Sequence, residues 1–127
     1  MPNRRPPSGA WILLVDDDDE VRRATQTILE EDGYNVVAAR NGREALEILR
    51  CGARPQLVLL DLMMPEMNGW EFLEAVVERN LQIIVISAHV TDAKTISAAA
   101  LVDKPAGFLR KPLDPARLLE VARAAMH

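Results

Sequence analysis

The chain has 127 residues, a formal net charge of −4 and a hydrophobic fraction of 49%, which is enough for one domain with a substantial core. Only 4% of the residues are aromatic, so the core must be aliphatic, as in a parallel sheet covered by helices rather than an aromatic-rich β sandwich. The acidic balance excludes a basic nucleic-acid surface, no apolar run could span a membrane, and a single cysteine excludes an internal disulfide. We therefore expect a cytoplasmic protein that contacts neither nucleic acid nor membrane directly. Residues 1–9 are predicted to be a disordered N-terminal lead-in, and residues 10–127 to form the folded domain.

Five short apolar runs recur along the chain, and none of them alternates between apolar and polar residues. Such continuous runs are typical of strands that are buried on both faces of a sheet. The predicted strands are Trp11–Val15, Val36–Ala39, Leu57–Leu60, Ile83–Ile86 and Phe108–Leu109.

Stretches with helical spacing of apolar residues lie between the runs. Helix-start signals precede the second, third and fourth of them, Gly33 follows the first where a left-handed cap is favoured, and Pro115 begins the last. The fourth helix is alanine-rich and has little to bury. The predicted buried stripes are Val21, Ala24, Thr25, Ile28 and Leu29 in the first helix, Ala45, Ile48 and Leu49 in the second, Phe72, Leu73, Val76 and Val77 in the third, and Leu118, Leu119, Ala122 and Met126 in the last.

Five β–α alternations predict an α/β fold, an open doubly wound (βα)5 three-layer sandwich of the flavodoxin-like type. There are too few units for an eight-fold barrel. The expected order of the parallel strands is 2-1-3-4-5, which places the topological switch point between the first and third strands. Ligands bind at such a point, beyond the C-terminal ends of the strands.

Acidic residues follow both of the strands that flank this switch point. Asp18, Asp19 and Glu20 suit the start of a helix, but Asp16 and Asp17 sit directly on the end of a buried strand, as Asp61 does after Leu57–Leu60. Crowded carboxylates repel one another and are costly to desolvate, so a site that keeps them usually holds a cation. The three carboxylates predict a hard-oxygen site suited to Mg²⁺.

Two further strand ends carry groups that can receive an anionic oxygen. Ser87 ends the fourth predicted strand, and Lys111 follows the fifth. A hydroxyl and an ammonium beside a metal are suited to a phosphoryl group. Lys104-Pro105 is the rival to Lys111-Pro112, and we prefer Lys111 because it directly follows an apolar strand.

Taken together, these segments resemble the receiver domains of two-component response regulators, with a fold like that of the chemotaxis regulator. The resemblance covers about Trp11 to Ala125. It rests on Leu14-Val15-Asp16-Asp17, on residues 61–69 (Asp-Leu-Met-Met-Pro-Glu-Met-Asn-Gly), on Ser87-Ala88 and on Lys111-Pro112.

The resemblance implies a role for each matching residue. Asp61 would be the phosphoacceptor, and Lys111 would pair with it and then with the phosphoryl group. Asp17 would bind Mg²⁺ directly, Asp16 would assist, and the backbone carbonyl of Met63 would be a further ligand. The other implied roles are a hydrogen bond from Ser87 and from the Ala88 amide to the phosphoryl group, an aromatic switch at Phe108, control of phosphoryl hydrolysis at Met63 and His89, and a cis bond before Pro112.

The implied function is a phosphoacceptor receiver that takes its phosphoryl group from a histidine kinase or a histidine phosphotransfer domain. Phosphorylation would change the surface of the fourth helix, fifth strand and fifth helix, where a downstream protein or a second copy in a homodimer binds. Such a domain is not a conventional enzyme, because it catalyses only its own phosphorylation and dephosphorylation. We expect either a stand-alone receiver or one cut from a larger regulator.

Three other functions are consistent with parts of the pattern. Asp16 and Asp18 offer the D-x-D motif of a haloacid dehalogenase-type phosphohydrolase, with Asp16 as nucleophile, although Asp61 would then be unexplained. A flavodoxin-like FMN binder needs a phosphate loop, and the loop here is acidic. A pseudo-receiver would bind partners independently of phosphorylation.

Overall fold

A computed structural model describes residues 10–51, 54–61, 72, 74–76, 78–87 and 107–126. Several predictions fall outside these residues, namely the lead-in over 1–9, the fourth helix, and the positions of Met63, Ala88, His89 and Lys104. The elements are β1 (Ile12–Val15), α1 (Asp19–Glu31), β2 (Val36–Ala39), α2 (Gly42–Arg50), β3 (Leu57–Asp61), β4 (Ile83–Ser87), β5 (Gly107–Arg110) and a C-terminal helix (Pro115–Met126). Helical backbone is also found at residues 72, 74–76 and 78.

The five strands form one parallel sheet in the order β2-β1-β3-β4-β5, as predicted. β1 and β3 are neighbours in register, with Val15 opposite Leu60. The residues that follow this pair, Asp16 and Asp61, are therefore brought to the same edge of the sheet. The register of the next strand places Asp61 opposite Ile86.

The core consists of two layers, one on each face of the sheet. Alternate residues of β1 and β3 point to opposite faces, which is the side-chain period of a strand. One face carries Leu13, Val15, Val58 and Leu60 and packs against α2 and Phe72. The other carries Ile12, Leu14, Leu57 and Leu59 and packs against Leu29 of α1 and the C-terminal helix. The predicted three-layer, doubly wound sandwich is confirmed.

The two edge strands are less buried than the sequence predicted. In β5, Phe108 is 36% exposed and Arg110 is exposed, while Leu109 between them is buried. Most of β2 is only half-buried. The prediction of burial on both faces is wrong for these strands, because an edge strand has a neighbour on one side only and solvent reaches its side chains.

Most of the predicted helix signals are confirmed. Asp18 is the N-cap of α1 and Asn41 the N-cap of α2, and each side chain accepts backbone N–H groups of the first turn. Gly33 has a φ of 95° just after α1, and Pro115 is the first residue of the C-terminal helix. The predicted stripe of α1 needs one correction: Ala24 is exposed, whereas Arg22 is buried.

None of the helices within the described ranges is long and apolar enough to cross a membrane.

Candidate functional site

Three carboxylates meet at the C-terminal edge of the sheet. Asp61 is the last residue of β3, and Asp16 follows β1, where its backbone N–H still donates to the Ala39 carbonyl over 3.2 Å. Asp17 continues the loop toward α1. One oxygen from each of Asp16, Asp17 and Asp61 lies within 4.8 Å of the others. The parallel register of β1 and β3 is the physical reason for this convergence.

Lys111 completes the cluster from the loop after β5. Its Nζ donates a hydrogen bond to Asp61 Oδ2 over 2.8 Å and lies 3.2 Å from Asp16 Oδ2. The peptide bond between Lys111 and Pro112 is cis, as the resemblance implied. The ammonium therefore bridges the acids that follow β1 and β3.

The two oxygens of Asp16 have different surroundings. Oδ1 accepts the backbone N–H of Asp18 over 2.9 Å, which fixes the start of the loop. Oδ2 is at ion-pair distance from Lys111, yet within the described part of the chain it receives no hydrogen bond. A buried polar atom in this condition is costly, so Asp16 Oδ2 is positioned to bind a further positive group.

Burial and the crowding of acids both favour the protonated forms of Asp16 and Asp17, whose pKa values are raised. Burial, followed by the charge of Asp61, raises the pKa of Asp16 to about 6, although the Asp18 amide and Lys111 act against this rise. Burial and the charge of Asp61 also raise the pKa of Asp17. Burial alone would lower the pKa of Lys111, but the hydrogen bond to Asp61 and the nearby carboxylates outweigh it and the pKa is raised.

These residues fit a divalent cation. Three carboxylates against one ammonium leave two formal negative charges when all are ionised. All three acids offer hard oxygen ligands, as Mg²⁺ prefers, and Asp17 is exposed at the rim, where a hydrated ion could enter. Asp16 Oδ2 pairs with Lys111 but receives no hydrogen bond from the described residues, so it can accept a further positive group.

Sequence reasoning missed Arg22, a buried residue beneath this loop. Arg22 is only 8% exposed; its Nη1 donates to the Asp16 carbonyl over 2.9 Å, and its Nη2 pairs with Asp19 Oδ1. The i,i+3 spacing of Asp19 and Arg22 was the available signal. That spacing indicates a surface ion pair, so it did not predict burial.

The other predicted site residues can be located only in part. The backbone of Ser87 ends β4 opposite Arg110, while its side chain lies outside the described residues. Met63 and Ala88 lie outside them as well. Phe108 projects from β5 toward solvent. The roles assigned to these residues, like those of the acids and Lys111, stay predictions.

A groove of about 430 Å³ opens between α1 and the loop that carries Lys111. Its lining is mainly apolar, and it runs up to the lysine that contacts Asp61. The lining residues are Val21, Ala24, Thr25, Ile28, Lys111, Pro112 and Leu113.

Comparisons with known proteins agree with this geometry. The response regulator receiver domain family matches residues 12–123. The chain is 36% identical to the chemotaxis protein CheY of Thermotoga maritima over 115 residues, covering 88% of this chain and 93% of that protein. It is 35% identical to the transcriptional regulatory protein CseB of Streptomyces coelicolor, covering 91% of this chain but only 48% of CseB. The chain thus spans nearly all of one relative and about half of the other.

Solved structures show the same likeness. The structure of chemotaxis protein CheY4 of Vibrio cholerae superposes with a TM-score of 0.79 at 30% identity, covering 93% of this chain and 99% of that one. A CheY-like receiver domain from Methanospirillum hungatei gives a TM-score of 0.80 at 28% identity, covering 94% of each chain. These matches favour a receiver over the phosphohydrolase and flavin-binding alternatives. The chain belongs to the response regulator receiver domain family.

Proposed function

We propose that this receiver accepts a phosphoryl group on Asp61 in a Mg²⁺-dependent reaction. The observation that carries the proposal is the Asp61 carboxylate, which is 1% exposed, hydrogen-bonded to Lys111 Nζ over 2.8 Å, and grouped with two other acids that could hold a metal. Phosphoryl transfer needs positioning and charge neutralisation more than covalent help from the protein. The cluster positions Asp61 against Lys111, and Mg²⁺ held by the acids would supply the neutralisation.

The surroundings of the three acids favour Asp61 as the nucleophile. Asp16 Oδ1 is occupied by the amide of Asp18, and Asp17 is exposed at the rim. Asp61 is the last residue of the central strand β3 and pairs with Lys111 over 2.8 Å, which suits the acceptor role that the family resemblance implies. We assign Asp16 and Asp17 to metal binding, together with the Met63 carbonyl that the family resemblance implies.

In the proposed reaction, a carboxylate oxygen of Asp61 attacks phosphorus in line with the leaving group. A P–O bond to aspartate forms as the bond to the donor breaks, and the donor leaves with the electron pair. With a phosphohistidine donor, the broken bond is P–N and the imidazole departs. Lys111 then pairs with an oxygen of the transferred group. Bound Mg²⁺ would supply neutralisation of the charge on the phosphoryl oxygens.

The partner that delivers the phosphoryl group must dock close to Asp61. The groove beside Lys111 meets this requirement, and Val21, Ala24 and Ile28 along α1 give it an apolar wall. We propose that a histidine kinase or a histidine phosphotransfer domain packs the apolar face of a helix into this groove. We also propose that this reaction takes place in the cytoplasm. An apolar stripe at helical spacing is a common way to fill such a groove.

The proposed output is a change in binding rather than turnover of a separate substrate. Phosphorylation adds up to about two negative charges, and converting the domain from mostly off to mostly on needs about 5.5 kcal/mol of differential stabilisation. A few charge-assisted hydrogen bonds of about 1.5–3 kcal/mol each could supply it, with Ser87 and the Ala88 amide as donors. Phe108, exposed here, would turn inward and change the surface around β5.

Acetyl phosphate with Mg²⁺ tests the acceptor directly. We expect the wild-type protein to gain one phosphoryl group by intact mass spectrometry and Asp61→Asn to gain none. Asp18→Asn is the matched control, because asparagine is an equally good N-cap and the same chemical change is made on the adjacent loop. Continued labelling of Asp61→Asn would favour Asp16 as nucleophile.

Beryllofluoride with Mg²⁺ tests the switch, since it mimics the acyl phosphate. We expect amide NMR shifts to change at Ser87 and Phe108. A wild-type protein that is neither labelled by acetyl phosphate nor changed by beryllofluoride would instead be a pseudo-receiver, a module that binds partners without phosphorylation.

A further inference from the structure

Arg22 is a buried cation near a helix end at which positive charge is unfavourable. It lies near the N-terminus of α1, the end at which the helix dipole disfavours positive charge, and it is 8% exposed. Its neighbour Arg23 is exposed on the same helix. Burying a guanidinium at this end of a helix is unfavourable unless its hydrogen bonds are made inside the protein.

Among the described residues, the side chain of Arg22 bonds to the start of the acidic loop and to the first residue of α1. Nη1 donates to the backbone carbonyl of Asp16, and Nη2 pairs with the carboxylate of Asp19. The planar fork of a guanidinium holds two acceptors in a fixed relative geometry, whereas the three donors of an ammonium rotate on a flexible stem. One side chain thus joins the last residue before the loop to the first residue of α1.

Two of the three carboxylates of the proposed metal site belong to this segment: Asp16 at its first anchor point and Asp17 directly after it. The hydrogen bond from Arg22 to the Asp16 carbonyl holds the plane of the Asp16–Asp17 peptide unit, because the peptide group is planar. Fixing this plane limits where Asp17 can point. The loop is also held by the Asp18 amide, which donates to Asp16 Oδ1.

We infer that Arg22 is a positioning residue that holds the β1–α1 loop in its metal-binding conformation. This inference rests on the proposed function, because it gives Arg22 a role in forming the proposed Mg²⁺ site. Groups that orient metal ligands typically change metal affinity by roughly 10- to 100-fold when removed. Arg22 bonds to the Asp16 carbonyl and to Asp19, and neither bond involves the carboxylates of the proposed metal site, so its effect is indirect.

The test compares Arg22→Gln with Arg23→Gln, two variants with the same loss of charge on adjacent positions of α1. We expect calorimetry to show Mg²⁺ binding weakened roughly 10-fold or more in Arg22→Gln and nearly unchanged in Arg23→Gln. In the absence of metal, the amide of Asp18 should exchange with deuterium faster in Arg22→Gln alone. Equal affinities and equal exchange in the two variants would overturn the inference.

Arg22→Lys separates positioning from charge. The ammonium keeps the positive charge but lacks the planar fork that fixes the two acceptors relative to each other, so we expect an affinity between those of Arg22→Gln and the wild type. A wild-type affinity in Arg22→Lys would mean that charge alone suffices, and would also overturn the inference; this variant decides the question if Arg22→Gln does not fold. If the wild-type protein binds no Mg²⁺, the proposed metal site is wrong. The deuterium exchange of the Asp18 amide without metal still tests whether Arg22 holds the loop.

Discussion

In the metal-free protein, the ionised acidic cluster should lower the free energy of unfolding, and Asp16→Asn should raise it again. Asp16 is 1% exposed, and its pKa is raised from 3.8 to about 6, first by burial and then by the charge of Asp61. A carboxyl whose pKa is higher in the folded than in the unfolded state lowers the free energy of unfolding once it is ionised. While it is protonated in both states, it has no such effect. Asparagine keeps the shape of the protonated group and carries no charge.

The expected gain follows from the size of the pKa difference. The rise from 3.8 to about 6, at about 1.4 kcal/mol for each unit, corresponds to a gain of about 3 kcal/mol in the free energy of unfolding at neutral pH. Below about pH 4 the carboxyl is protonated in both states, so wild type and variant should be equally stable. The difference should grow between about pH 4 and 6 and stay constant above that range.

Urea unfolding followed by far-UV circular dichroism, with EDTA present, measures this difference at several pH values. Asp18→Asn is the control, because it removes an exposed carboxylate from the same loop and keeps the N-cap; we expect no comparable gain at neutral pH. Saturating Mg²⁺ should stabilise the wild type more than Asp16→Asn and narrow the gap. An Asp16→Asn variant that is less stable than the wild type at pH 7.5, or a gap that does not change with pH, would refute the reasoning.

Three further outcomes are expected. Mg²⁺ affinity should fall as the pH drops through about 6, because protons then compete with the metal for Asp16; equal calorimetric affinities at pH 7.5 and 5.5 would contradict this. Ala24→Arg, in the groove wall, should block phosphotransfer from whichever autophosphorylated histidine kinase labels the wild type fastest, yet leave labelling by acetyl phosphate intact. Thr27→Arg, exposed on the same helix outside the groove lining, is its control, and an equal loss in both variants would argue against docking there. Gly107→Ala should cost about 1–3 kcal/mol in thermal unfolding, because its Cβ would lie 2.9 Å from Val121 Cγ1; Val121→Ala in the same chain should restore part of the loss.

Much of the fold could be predicted because its signals are local. Continuous aliphatic runs, N-caps such as Asp18 and Asn41, and Gly33 after α1 each depend on a few neighbouring residues, and the structure confirms them. The exposure of Phe108 could not be predicted in this way. The predicted strand order already placed β5 at the edge of the sheet, but how far Phe108 is exposed depends on what packs against that edge, and this is not encoded in β5 itself.

For the candidate site, too, the identities of the residues could be predicted from local signals, whereas their arrangement in space could not. The sequence identified Asp16, Asp17, Asp61 and Lys111, because acids and a lysine at the ends of apolar strands are recognisable in chain order. The approach of the three carboxylates to within 4.8 Å of one another and the 2.8 Å contact of Lys111 with Asp61 depend on the register of strands that are far apart in the chain.

By itself, then, the sequence determined the type of fold, the strand order expected for it and the residue types at the functional edge. Only the tertiary structure decided which charged groups are buried and how they are bonded: Asp16 Oδ2, which receives no hydrogen bond from the described part of the chain, and the buried guanidinium of Arg22. The physical reason is that desolvation is a property of everything packed around a group. A local pattern of residues specifies the group itself and leaves its surroundings to the folded chain.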